Sequence, residues 1–113
     1  MPEQTVELDL VFKALSDPTR RQVVERLVTG SASTSDLARP FAMALPSFTQ
    51  HLEVLERAGL VTSIKAGRVR TYELVPAALG IADGWLTEQR RLWERRLDQL
   101  DEFLTTLNDQ EQS

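Results

Sequence analysis

Four side chains able to form hydrogen bonds crowd into one short stretch of LPSFTQHLEVLERAGL: the hydroxyls of Ser47 and Thr49, the amide of Gln50 and the imidazole of His51. Hydroxyls and an amide carried near a helix N-terminus suit the reading of base edges, where Gln can pair bidentately with adenine. They do not suit catalysis, because no nucleophile–base pair, phosphate-cradling glycine loop or metal constellation accompanies them. The chain has no Cys and a single His. That count removes a disulfide framework, a thiolate zinc site, a cysteine nucleophile and most imidazole metal chemistry. A carboxylate-only site around Asp83 and Glu88 would suit a hard cation poorly on one helical face. The expectation is no cofactor, no metal and no enzymatic activity.

The polar group must be held by a helix. Leu45, Phe48, Leu52 and Leu55 recur at spacings of three, four and three, which predicts a helix over about 45–58 with one buried stripe. Pro46 fits its first turn and Gly59 its C-terminal stop. At about 100° per residue from Phe48, Gln50 falls near 200°, Ser47 near 260°, Thr49 near 100° and His51 near 300°. Gln50 therefore points away from the core with Ser47 and Thr49 beside it. His51 lies at the edge of the stripe, where it is either a structural histidine or a member of the reading face. Ala44 has no side chain to cap the helix, a loss of about 1 kcal/mol unless another group substitutes.

The elements before this helix follow the same logic. Leu8, Val11, Phe12 and Leu15 mark a first helix that packs by one face. Asp17-Pro18 reads as a cap and first helical residue, and Val23, Val24, Leu27 and Val28 supply a buried face before Gly30, a helix over about 17–29. A short third helix follows, capped by Ser33 or Ser35 and limited by Pro40. A short helix, a turn and a polar-faced helix form the arrangement of a helix-turn-helix reader.

Leu60–Lys65 and Arg68–Leu74 are rich in Val, Ile, Thr and Tyr and bracket Ala66-Gly67, which predicts a hairpin with Lys65, Arg68 and Arg70 near its tip. Ala66 tolerates positive φ poorly, so the loop is expected to exceed two residues. From Pro76 to about Leu107, residues Leu86, Trp93, Leu97, Leu100, Leu104 and Leu107 keep a heptad seam. Gly80 and Gly84 weaken the early part and allow a break or kink before a continuous helix from about 84, and NDQEQS is expected to fray.

A chain of 113 residues is expected to form one domain, 1–113. Its net charge of −4 is unevenly spread. Residues 98–113 carry Asp98, Asp101, Glu102, Asp109 and Glu111 with no Lys or Arg, whereas residues 39–72 set Arg39, Arg57, Lys65, Arg68 and Arg70 against Glu53 and Glu56. The basic segment is either a nucleic-acid patch or a solvated surface. No apolar run is long enough for a membrane span, and MPEQTVELDL lacks a secretory pattern, so a cytoplasmic location is expected.

Three segments in order carry a family resemblance. KALSDPTRRQVVERL resembles helix two of the ArsR family of bacterial transcriptional repressors, MALPSFTQHLEVLERAGLV resembles its recognition helix, and KAGRVRTYEL resembles its wing. The resemblance covers about residues 7–107. It implies a mainly α winged helix-turn-helix fold with a small β-hairpin wing, dimerising through its N- and C-terminal helices. The helix-turn-helix would occupy about 33–58, the wing about 60–75 and the C-terminal dimerisation helix about 76–107. A homodimer would bind an inverted-repeat operator in double-stranded DNA and leave it on a signal from a small-molecule or protein effector. Carried over by motif, the DNA contacts are Leu45, Ser47, Thr49, Gln50, His51, Lys65, Arg68 and Arg70. The interface comprises Leu8, Val11, Phe12, Trp85, Leu86, Trp93, Leu97, Leu100 and Leu104, more apolar surface than a monomer of this size readily covers. Arg20 and Arg21 either touch phosphates or pair within the chain.

Members that sense metals use Cys pairs in helix three or His and carboxylates in helix five. Here SDLAR has no thiol and residues 76–113 have no His. The run Trp85-Leu86…Arg90…Trp93…Arg96-Leu97 resembles the metal-independent branch instead. The acidic C-terminal end favours a competing reading, a dimeric protein-interaction module that keeps the fold and no longer binds DNA.

Overall fold

The computed structural model describes residues 3–112, with side chains over 7–111; Met1, Pro2 and Ser113, the ends of the expected domain, lie outside the described residues. The order is α1 (Glu3–Leu15), α2 (Pro18–Val28), β1 (Ala32–Ser33), α3 (Thr34–Ala38), α4 (Leu45–Arg57), β2 (Val61–Ala66), β3 (Val69–Leu74) and α5 (Pro76–Gln112). The fold is mostly helical with one small antiparallel sheet. The chain divides into two compact units, one up to Ala82 and one from Asp83.

The first unit has a continuous core. Val11, Ala14, Val23, Leu27, Leu37, Phe48, Leu52, Leu55, Leu60 and Val61 are buried in it, joined by Tyr72, Ala78 and Ala82. Asp17 caps α2, its Oδ2 accepting from the Arg20 backbone N–H at 3.1 Å, and Ser33 rather than Ser35 caps α3, accepting from the Asp36 N–H. Val28, placed in the buried face from sequence, is 68% exposed; it is the last residue of α2 and lies beyond the turn that meets the core. Val11, placed at the interface, is 0% exposed within its own chain, so it is a core residue with no surface left for a partner.

The sheet order is β1-β3-β2. The two-residue β1 pairs Ala32 with Tyr72 and Ser33 with Thr71, a tie between the start of α3 and the hairpin that periodicity gave no sign of. The hairpin pairs Val61 with Leu74 through to Ala66 with Val69, so its loop is the two residues Gly67 and Arg68. The expectation of a longer loop fails because Ala66 stays in the strand and Gly67, at φ 65°, takes the positive-φ position. Positive φ at the first loop residue alone matches a II′ turn, which follows the strand twist.

Helix α4 passes into β2 through Gly59 at φ 78°. The Gly59 N–H donates to the Glu56 carbonyl and the Leu60 N–H to that of Leu55, both at 3.0 Å, a Schellman ending. Leu55 and Leu60 are both fully buried, so this stop sets the angle between α4 and the hairpin.

Helix α5 is unbroken through Gly80 and Gly84 and runs on to Gln112. Glycine weakens a helix by about 1 kcal/mol without forbidding it, and Ala78 and Ala82 beside Gly80 are buried in the core. The fraying expected of NDQEQS is not seen over its described residues, since propagation through Gln and Glu costs little once a helix exists. No described helix is long and apolar enough to cross a membrane.

Candidate nucleic-acid interface

Helix α4 is rolled into a single orientation by Phe48, Leu52 and Leu55, all 0% exposed. Phe41, from the connection after α3, packs its ring on Phe48 with centroids 5.3 Å apart, which ties the turn to the helix. The opposite face is thereby forced outward. Ser47 and Gln50 are exposed, and neither makes a side-chain hydrogen bond with another described residue. Leu45 is exposed ahead of them. Thr49 is half-buried and its hydroxyl donates to the Pro46 carbonyl at 3.0 Å, so it has only acceptor capacity and a methyl to offer outward. Ala44 makes no side-chain capping bond. The N–H groups of Leu45 and Ser47 therefore stay at the positive end of the helix, where an anion is favoured.

His51 belongs elsewhere. It is half-buried, with Nδ1 3.0 Å from Arg20 Nη1 and 3.8 Å from Asp17 Oδ2. A guanidinium only donates, so Nδ1 is the acceptor in the contact with Arg20. This contact engages the Nδ1 edge of His51 and fastens α4 to the start of α2. Arg20 also donates from Nε to the Ala14 carbonyl at 2.7 Å and from Nη2 to that of Lys13 at 3.0 Å. Arg21 donates to the Leu15 carbonyl at 2.8 Å. Both arginines thus engage carbonyls at the C-terminal end of α1, and the Arg20 charge also acts on the Asp17 carboxyl. Burial pushes the Asp17 carboxyl up, but the Arg20 N–H and the nearby His51 and Arg20 outweigh it and hold the carboxyl below its ordinary value.

The hairpin carries the cations. Lys65 and Arg68 are exposed, Arg68 at the turn itself. Arg70 is exposed too, but its Nη1 donates to Ser63 Oγ at 2.9 Å, and that hydroxyl donates to Glu56 Oε2 at 3.0 Å. Burial raises the Tyr72 phenol above its ordinary value, and Glu56 adds to the rise while Arg70 opposes it. The structure therefore turns Ser47 and Gln50 outward, leaves Leu45, expected in the buried stripe, 54% exposed because the first turn of α4 extends beyond the core, puts Lys65, Arg68 and Arg70 on the hairpin, and sets His51 against Arg20. Among the described residues no group of three or more His, Asp or Glu is placed to hold a metal ion.

The apolar candidates separate as well. Leu8 and Phe12 are half-buried, and Phe12 packs against the core of the first unit. In the second unit Trp85, Leu86, Trp93, Leu97, Leu100 and Leu104 are all exposed, and so are Leu92 and Phe103, which the heptad count omits. At about 100° per residue Leu92 and Phe103 fall within roughly 20° of Trp85, so the apolar face is broader than one seam. The seven-residue step from Trp85 to Leu92 was the signal for them.

Known proteins resemble this chain along most of its length. A helix-turn-helix domain model matches residues 15–64. The HTH-type transcriptional regulator Rv2034 of Mycobacterium tuberculosis is 40% identical over 79% of this chain and 80% of its own length. The transcriptional repressor SdpR of Bacillus subtilis is 34% identical over 67% of this chain and 84% of its own. The crystal structure of an ArsR family transcriptional regulator, RHA00566, superposes with a TM-score of 0.79 at 46% identity, covering 83% of this chain and 97% of that one.

Proposed function

From the premise that this chain belongs to the ArsR family of helix-turn-helix transcriptional regulators and is no enzyme, we propose that it is a homodimeric, cytoplasmic repressor of the metal-independent branch that binds an inverted-repeat operator. Leu45, Ser47, Thr49 and Gln50 of α4 enter the major groove, with Gln50 as the principal base reader and Thr49 reduced to an acceptor and methyl contact. Lys65, Arg68 and Arg70 of the hairpin meet phosphates or the minor groove. In this reading residues 1–113 work as one functional domain, with helix-turn-helix, wing and dimerisation helix over 33–58, 60–75 and 76–107. The exposed apolar face of α5 from Trp85 onward, with Leu8 and Phe12, supplies the dimer surface. The observation that carries the reading is the outward hydroxyl-and-amide face of α4, held there by three fully buried anchors.

The metal-independent assignment is supported by a chain with no Cys whose single His is engaged with Arg20. A small-molecule or protein effector would then release the operator.

Selection of duplexes from a randomised pool, followed by footprinting, tests the proposal. Enrichment of an inverted repeat with half-sites about 34–36 Å apart is expected. Enrichment of nothing at low salt, with the dimer intact, would overturn it in favour of a protein-interaction module.

A further inference from the structure

Arg70 differs from the other two hairpin cations in being held. Ser63 and Arg70 lie on one face of the hairpin, because Ser63 is opposite Tyr72 and Arg70 is opposite Lys65, which makes them diagonal neighbours. The single proton of the Ser63 hydroxyl is given to the Glu56 carboxylate, at 3.0 Å to Oε2 and 3.3 Å to Oε1, and its lone pair accepts from Arg70 at 2.9 Å. Glu56 is in the last turn of α4, so the relay runs from the recognition helix through β2 to β3. A hydroxyl polarised by a carboxylate is a better acceptor for a guanidinium than a free one. Arg70 keeps its other donors and stays exposed.

We infer that Glu56 and Ser63 are positioning residues for Arg70, a clamp that orders one wing guanidinium before any phosphate arrives and sets it in register with the base-reading end of α4. The inference rests on the DNA-binding reading above. Ordering an Arg beforehand removes part of the side-chain entropy that binding would otherwise cost. It also answers why an acidic residue stands next to a surface that needs positive charge: Glu56 spends its charge on Ser63 and Arg70.

The test uses the full chain and a duplex that the parent protein selects from a randomised pool. Ser63→Ala and Glu56→Ala should each weaken binding roughly five- to tenfold. Glu56→Gln, which keeps an acceptor for the Ser63 hydroxyl but not the charge that polarises it, should restore only part of that loss. In an Arg70→Ala background neither Ala variant should cost anything further, a coupling that mere loss of fold would not produce. In the free protein, ¹⁵N relaxation of the Arg70 Nε–H should report an ordered side chain that becomes mobile in both Ala variants. Equal Arg70 mobility in parent and variants would overturn the inference. So would binding by the Ala variants that matches the parent, or the same fold-loss with Arg70 absent. If the parent selects no duplex, the DNA-binding reading fails, and the relaxation measurement still decides the clamp.

Discussion

Residues up to Ala82 and residues from Asp83 solve the problem of apolar side chains in opposite ways. In the first unit the large residues close on one another, with Phe48, Leu52, Leu55, Leu60, Val11 and Val23 essentially without exposure. In the second, a single stretch of helix, Trp93 is 58% and Phe103 59% exposed, and Trp85, Leu86, Leu92, Leu97, Leu100, Leu104 and Leu107 are exposed with them. The first unit contains the partners its core requires. The second carries a face with the composition of an interface, at a cost in water of roughly 25 cal/mol per Å² left uncovered.

Substitutions should separate the two regions, and the largest effect belongs to the core. Phe48→Ala should destabilise the first unit by about 3–5 kcal/mol, read by urea unfolding, because it empties the position that orients α4. For the proposed dimer, Leu97→Asp should weaken self-association by on the order of a hundredfold, read by sedimentation, while the backbone amides of the first unit keep their protection from exchange. If Leu97→Asp unfolded the first unit as thoroughly as Phe48→Ala, the contrast between the regions would be wrong.

Smaller effects sharpen the picture within the first unit. Gln50→Ala should forfeit about 1–3 kcal/mol of discrimination at one base pair, whereas Arg68→Ala should lower affinity for every sequence and reduce the salt slope by about 1. Binding isotherms on matched and mismatched duplexes at several salt concentrations distinguish them. The smallest effect concerns acid. Because the folded state holds the Asp17 carboxyl below its ordinary value, its contribution is complete above the unfolded-state value and disappears as pH falls through the folded one. Asp17→Asn keeps a capping side chain but has no such dependence, so its stability deficit relative to the parent should shrink between about pH 6 and about pH 3 in urea titrations.

Much of this architecture is legible in the chain because the signals are local. The stripe Leu45, Phe48, Leu52 and Leu55 located α4 to within one residue of its observed end and oriented Gln50 outward. Asp17-Pro18 and Gly59 marked the helix ends they cap. Where local reading failed, a distant neighbour was responsible. His51 sits at an angle that leaves two roles open, and the choice falls to Arg20, which is 31 residues away. The hairpin loop was judged from Ala66, yet pairing Ala66 with Val69 moves the turn onto Gly67-Arg68. The apolar spacing of Val11 equals that of Leu8 and Phe12, and only packing shows which of them the core consumes.

The sequence by itself determined the order of the main helices and the hairpin, where α2 and α4 are capped and stopped, and that the outward face of α4 is made of hydroxyls and an amide, since periodicity and capping act within one or two turns. Tertiary structure alone decided how polar groups were shared out: Arg20 and Arg21 to the end of α1, His51 to Arg20, Arg70 through Ser63 to Glu56, and β1 to β3. A hydrogen bond is a matter of a few ångströms and a direction, and the spacing of residues along the chain does not contain either once the partners belong to different elements.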